Sequence, residues 1–150
     1  MEQLTTSSSS PSRARWGMVP LRVVVGLVFI MHGGMKLFSF GIGGTTAFMH
    51  QLGIPLPAVA AVVVTAVELL GGVALILGLF TRWAGLLLTI DMLVAILKVR
   101  LHGGFFAPNG FEFEMTLMGA ALTFALLGAG AVSLDALLAN RRSVPGVKEI

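Results

Sequence analysis

From Val19 onward the chain alternates long apolar runs with short breaks rich in Gly, Pro and Arg. Four runs stand out, over about 19–38, 57–79, 83–99 and 113–131. Each approaches the roughly 20 residues that a helix needs to cross a ~30 Å hydrocarbon core. None shows the broad polar face that each helix of a soluble bundle would present to water. The run Leu56–Leu79 has Glu68 as its only charge, and Trp83–Leu97 has only Asp91. The pattern predicts an all-α fold, an integral membrane four-helix bundle. Pro55 and Pro57 set the start of the second span, and Thr81-Arg82-Trp83 reads as a tight turn. Spans two and three are then an antiparallel hairpin. Gly110 precedes the fourth span, and Gly128 and Gly130 mark its end.

The connections differ in character. Residues 1–17 form a Ser-rich polar tail that offers nothing to a core and reads as disordered. Arg13, Arg15 and Arg22 before an apolar run resemble the start of a signal peptide. His32 and Lys36 follow where a small-residue cleavage site would stand, so an uncleaved first span is expected. Between spans one and two, Gly41, Gly43 and Gly44 lead to Thr45 and Thr46, which read as N-caps of a short interfacial helix that stops at Gly53. The connection 102–110 carries Phe105 and Phe106 among Gly, Pro and Asn, as expected of a folded loop at the membrane surface. After span four, Ser133 is placed to cap another short helix, and 139–150 is a basic tail. The membrane domain is therefore expected over 18–138.

Composition strengthens this reading. Of 150 residues 56% are hydrophobic and 11% charged, with a mean hydropathy of +0.94. A soluble domain carries about 25% charged residues. The net charge is +3 and the pI about 10.2, yet the basic residues form no stripe with interleaved aromatics, so nucleic acid is not an expected partner. They sit at the ends of the spans, as topology determinants do. Arg13, Arg15, Arg22, Arg82, Arg141, Arg142 and Lys148 fall on one side, and Lys36, Lys98 and Arg100 on the other. The positive-inside rule then predicts a multi-pass protein of the bacterial inner membrane with both termini cytoplasmic. The chain has no cysteine, which removes disulfide exchange and thiolate metal sites.

The candidate chemistry lies inside the bundle. An acid at mid-membrane costs roughly 2.5–3.5 kcal/mol on insertion scales and so faces a partner or a polar cavity. Glu68 and Asp91 are central in spans two and three, and too short to reach the headgroups. His32 lies about 5 Å and Lys36 about 10 Å outward of the centre of span one, on one face at i, i+4. These four residues form the candidate intramembrane polar site. Lys98, Phe105, Phe106, Glu112 and Glu114 form its candidate outer mouth. Each has a blander role open to it: an interhelical hydrogen bond for Glu68 and Asp91, packing for His32, and the helix dipole for Glu112 and Glu114. Arg22, Lys98 and Arg100 are expected to snorkel to headgroups, and Lys36 either to snorkel or to pair with Glu68 or an acid of span four. No metal site is expected, because no HxxH or ExxH pair occurs. There is no phosphate-binding loop and no nucleophile elbow.

The ordered set of these residues resembles the DoxX family. It comprises Arg22, Gly26, His32-Gly33, Lys36-Leu37, Phe48 and Gly53-Ile54-Pro55, then Glu68-x-x-Gly71-Gly72 and Gly78-x-x-Thr81-Arg82. Asn109-Gly110-x-Glu112 and Gly128-x-Gly130-x-x-Ser133-Leu134-Asp135 continue it. The resemblance covers about 20–138 and implies a small four-helix inner-membrane protein. It also implies a link to quinone-dependent sulfur oxidation or to membrane-associated oxidoreductase complexes. The missing cysteines set aside the disulfide chemistry of four-helix relatives.

Three functions remain open on the sequence. One is an accessory or quinone-interacting subunit of a membrane oxidoreductase system, with no covalent cofactor, a quinone as ligand, and a membrane or soluble redox protein as partner. In that reading His32 and Lys36 bond a quinone carbonyl, and Glu68 or Asp91 passes the proton. The second is a small proton-coupled transport or relay protein, which would need to form a homo-oligomer. The third is a non-catalytic membrane scaffold whose ion pairs fix helix register. In all three the lipid bilayer is a partner.

Overall fold

The computed structural model describes residues 11–142. Residues 1–10 of the expected N-terminal tail and 143–150 of the C-terminal one lie outside them. Among the described residues all regular structure is helical. Helix α1 spans Pro11–Gly34 and runs on through a π turn, Met35–Ser39. Then come α2 (Gly41–Gln51), α3 (Pro57–Leu77) and α4 (Thr81–Ala95). A second π turn, Ile96–Arg100, and a 3-10 turn, Leu101–Gly103, extend α4. Helices α5 (Glu112–Leu127) and α6 (Leu134–Arg142) complete the chain. The segments Arg13–Ser39 and Pro57–Leu77 are long and apolar enough to cross a membrane.

Local chemistry explains most boundaries. Pro57 opens α3 at a position where a missing N–H costs nothing, and Gly78 ends it in the left-handed region, φ +65°. Three expectations need correction. First, α1 begins at Pro11, inside the segment expected to be disordered and well before Val19. Second, the turn between α3 and α4 falls at Gly78–Phe80, and Thr81-Arg82-Trp83 is already the first turn of α4. Third, Thr45 and Thr46 do not cap α2. The helix starts at Gly41, and their hydroxyls donate back to the carbonyls of Gly41 and Ile42, at 3.1 and 2.7 Å. A threonine hydroxyl inside a helix has that i−4 carbonyl in reach. Gly53 does stop α2, at φ +65°. Ser133 does cap α6, its hydroxyl accepting from Ala136 N at 3.2 Å.

Glycine sets the helix spacing. A Cβ on Gly26 would lie 2.7 Å from the Gly72 carbonyl oxygen, and one on Gly72 would lie 2.6 Å from that of Gly26. The backbones of α1 and α3 therefore touch, as small residues allow in membrane bundles. Gly85 does the same for α4 and α5, where a Cβ would meet Ala121 O and Ala125 N, both at 2.7 Å. Gly71 receives the Leu88 side chain between α3 and α4. The core is Val25, Phe29, Leu75, Leu88, Met92, Leu117 and Phe124, with Ala84 and Ala121. Outside it, Leu70, Leu126, Leu127 and many other large apolar side chains point outward. So extensive an apolar exterior is far beyond the patches a water-soluble monomer exposes.

The two ends of the bundle are chemically different. One end holds Lys36, Lys98 and Arg100; the other holds Arg15, Arg22 and Arg82. Arg22 was expected to snorkel outward, and the structure corrects this. It is 2% exposed and donates to the carbonyls of Ala129 (2.6 Å) and Val132 (2.8 Å), beyond the C-terminus of α5. The loop carbonyls left free by Gly128 and Gly130 are a closer partner for the guanidinium than the membrane surface. Asp135 of α6 completes the closure. Its two oxygens accept from the backbone N–H of Phe80 (2.8 Å) and Thr81 (3.0 Å) and so cap α4 from another helix.

Candidate functional site

Glu68 sits at the middle of α3 and is only 3% exposed. A carboxylate so buried requires a partner, and Lys36 supplies it. The lysine Nζ lies 2.6 Å from Oε2 of Glu68. This settles the choice for Lys36 in favour of pairing with α3 over snorkelling or an α5 acid. Lys36 belongs to the π turn that ends α1, where the wider coil re-aims its side chain away from the straight helical course. Close approach of the helices makes the pair possible. Gly33, one turn earlier, would clash with Leu69 and Glu68 if it carried a Cβ.

The pair lies on the wall of a cavity of about 760 Å3 between α1, α2, α3, α4 and α5. His32, Lys36, Glu68 and Asp91 all line it, together with Lys98 and Glu114. His32 does not bond Glu68. Its Nδ1 lies 3.0 Å from the Val28 carbonyl, and its ring stacks on Phe113 with centroids 5.7 Å apart. Asp91 is within electrostatic reach of Glu68 and Lys36. Its Oδ2 is buried and has no hydrogen-bond partner among the described residues. Glu114 pairs with Arg100, Oε1 to Nε at 2.9 Å, so Arg100 is tied to α5 where snorkelling was expected. Lys98 stands in the second π turn, at the same end as Lys36. Both π turns thus carry a lysine onto this cavity.

The expected mouth divides. Phe105, Phe106 and Glu112 are not on the cavity wall. Phe105 packs edge-on against Phe106 and Phe111, at 5.2 and 5.4 Å, an aromatic cluster within the loop. Glu112 accepts from Ala107 N at 2.9 Å and pins that loop to the start of α5. The apolar wall comes from residues that the sequence reading did not place at the site: Phe29, Phe40, Phe48, Met49, Met92 and Phe113. Phe40, Phe48 and Met49 belong to α2 or its N-cap, so this helix covers the cavity as well as connecting two spans. The recurrence of Thr45, Phe48 and Met49 at i, i+3 and i+4 along α2 was the available signal. Among the described residues no three His, Cys, Asp or Glu side chains gather as a metal site requires.

Two helices of membrane-crossing length and an extensive apolar exterior are features of a helical membrane protein. The chain belongs to the DoxX family, whose profile matches residues 17–103. It is 36% identical to "Putative oxidoreductase CatD" of Bacillus subtilis, over 79% of this chain and 84% of that one. It is 33% identical to "Inner membrane protein YphA" of Escherichia coli, over 76% and 84% of the two chains. An uncharacterized membrane protein of Mycobacterium tuberculosis is 30% identical over 95% of this chain and 98% of its own length. No solved structure matches the chain.

Proposed function

We propose that this protein is a quinone-interacting subunit of an inner-membrane oxidoreductase system, with the cavity between α1 and α5 as the ligand site. The observation that carries the reading is the placement of the Lys36–Glu68 pair and the unpartnered Asp91 oxygen on the wall of one cavity that Phe and Met side chains also line. A cavity of about 760 Å3 falls within the roughly 300–1,000 Å3 of small-molecule sites. Phe29, Phe40, Phe48 and Phe113 offer faces for a ring, and Lys36 and Lys98 offer donors for its carbonyl oxygens. Reduction of a quinone to the quinol takes two electrons and two protons. The electrons come from a redox partner in this proposal, and Asp91 and Glu68 hold and pass the protons. The name of the Bacillus subtilis relative supports an oxidoreductase setting. In the same reading α1, α3, α4 and α5 are the four spans, with both termini cytoplasmic and the lysine end facing outward.

The test is gentle purification followed by mass spectrometry of co-extracted small molecules, with thermal shifts on added short-chain quinones. Wild type should carry a quinone and gain stability. His32→Ala/Glu68→Gln should lose both signals. Wild type without bound quinone or a shift would overturn the reading. The buried, unpaired Asp91 oxygen also favours a second reading, a proton relay across the bundle. Proton flux into vesicles that Asp91→Asn abolishes, without added quinone, would select it.

A further inference from the structure

A second cleft opens at the arginine end, away from the cavity just described. Its volume is about 540 Å3, and Arg15, Thr81, Arg82, Trp83, Gly128 and Asp135 are on its wall. We propose that this cleft binds the phosphate of an anionic phospholipid headgroup.

Four observations support it. First, the charges do not cancel. Asp135 is the acid on the wall, but both its oxygens already accept from Phe80 N and Thr81 N, and it lies within electrostatic reach of the buried Arg22. Neither the Arg15 nor the Arg82 side chain makes a hydrogen bond or ion pair among the described residues. Two guanidiniums are therefore left to face an anion, and their planar donor forks suit phosphate oxygens. Second, Thr81 is fully buried on this wall, and its hydroxyl has no hydrogen-bond partner among the described residues. A buried hydroxyl without a partner is unfavourable unless a ligand supplies one. Third, the wall is held in shape. Arg15 O accepts from Ala131 N at 2.9 Å, and Gly128 turns the chain at φ +79° beside the Arg82 side chain. Fourth, the cleft lies at membrane-surface depth. Each guanidinium is followed by a tryptophan, Arg15-Trp16 and Arg82-Trp83, and both indoles are largely exposed, at 58% and 68%. Tryptophan concentrates at the headgroup level of bilayers. A fixed phosphate between two Arg-Trp pairs on α1 and α4 would bridge the N-termini of these helices. The partner is thus a lipid, and inorganic phosphate is the competing source of the same chemistry.

The test uses the full-length protein in a neutral detergent. Thermal stability and lipid retention by native mass spectrometry are followed on adding dioctanoyl phosphatidylglycerol, dioctanoyl phosphatidylcholine or inorganic phosphate. Phosphatidylglycerol should bind and raise the unfolding temperature, and the other two should not. Arg15→Gln/Arg82→Gln should weaken phosphatidylglycerol binding about 25-fold, from about fivefold per arginine. Thr81→Val should weaken it about fivefold and leaves the charges intact. His102→Gln changes a basic residue at the opposite end, on the wall of neither cavity, and should leave phosphatidylglycerol binding as in wild type. Equal shifts from both lipids, or wild-type binding by the arginine pair variant and by Thr81→Val, would overturn the site. An equal shift from inorganic phosphate would overturn the lipid assignment.

Discussion

Glu68 shows how one residue commits its surroundings. At 3% exposure and 2.6 Å from Lys36 it is stable as a pair and costly alone. Lys36→Met should therefore lower stability by about 3 kcal/mol, since it strands a buried carboxylate. Glu68→Leu should be harmful because it strands the largely buried Lys36 ammonium instead, and Glu68→Gln milder because it keeps a hydrogen-bonding group. The double variant Lys36→Met/Glu68→Leu should regain much of the loss, because an apolar pair replaces an ionic one at similar volume. Thermal unfolding in detergent of wild type and the four variants checks this; equal stability of the singles and wild type would show that the pair contributes nothing. Glu68 was legible in the sequence because it stands alone in an apolar run. Its partner was not, since Lys36 had both the membrane surface and two sets of acids within reach. The choice was made by the close contact at Gly33 and by the π turn.

At the scale of elements, glycine contacts and a remote cap decide the assembly. Gly26 and Gly72 bring two backbones together, so a large side chain at either position must push α1 from α3. Gly72→Leu should destabilise the bundle by about 1–3 kcal/mol or more, as overpacking does, and Gly72→Ala less. The same detergent unfolding would measure it, and a neutral Gly72→Leu would mean that the helices do not meet there. Asp135 caps α4 through Phe80 N and Thr81 N, with Phe80 held in the left-handed region at φ +48°. Asp135→Ala should cost about 1 kcal/mol, the usual loss of a cap, and should speed backbone hydrogen exchange in the first turn of α4. Unchanged exchange at Thr81 would argue against the cap. Helix existence followed from apolar run length, and Pro57, Gly53 and Gly128 fixed three ends by their own dihedral limits. The α3–α4 turn was misplaced because Thr81-Arg82-Trp83 is polar enough to read as a break, while the real corner uses Gly78 and a strained Phe80.

For the molecule as a whole, the difference between its ends carries the functional argument. The lysine end opens on the cavity of the Lys36–Glu68 pair, and at the arginine end Arg22 and Asp135 tie the helices to the loops around a separate cleft. If the positive-inside rule orients the protein, a reporter fused after residue 150 will be active in the cytoplasm. One inserted within 102–110 will be active only outside it. The reverse pattern would turn the bundle over and place the ligand cavity on the cytoplasmic side.

The sequence by itself determined that this is a helical membrane protein of the DoxX family, and it singled out the few charges within its apolar runs. Run length and the high cost of burying charge are local, additive properties that one chain can display without its fold. The tertiary structure decided which charge meets which. It drew Arg22 inward to two loop carbonyls, sent Glu114 to Arg100, left an oxygen of Asp91 unpaired, and turned α2 into a wall of the cavity. Those outcomes depend on the close helix contacts at Gly26, Gly33, Gly72 and Gly85 and, at the lysine end, on the two π turns. Both arise only when the helices pack against one another.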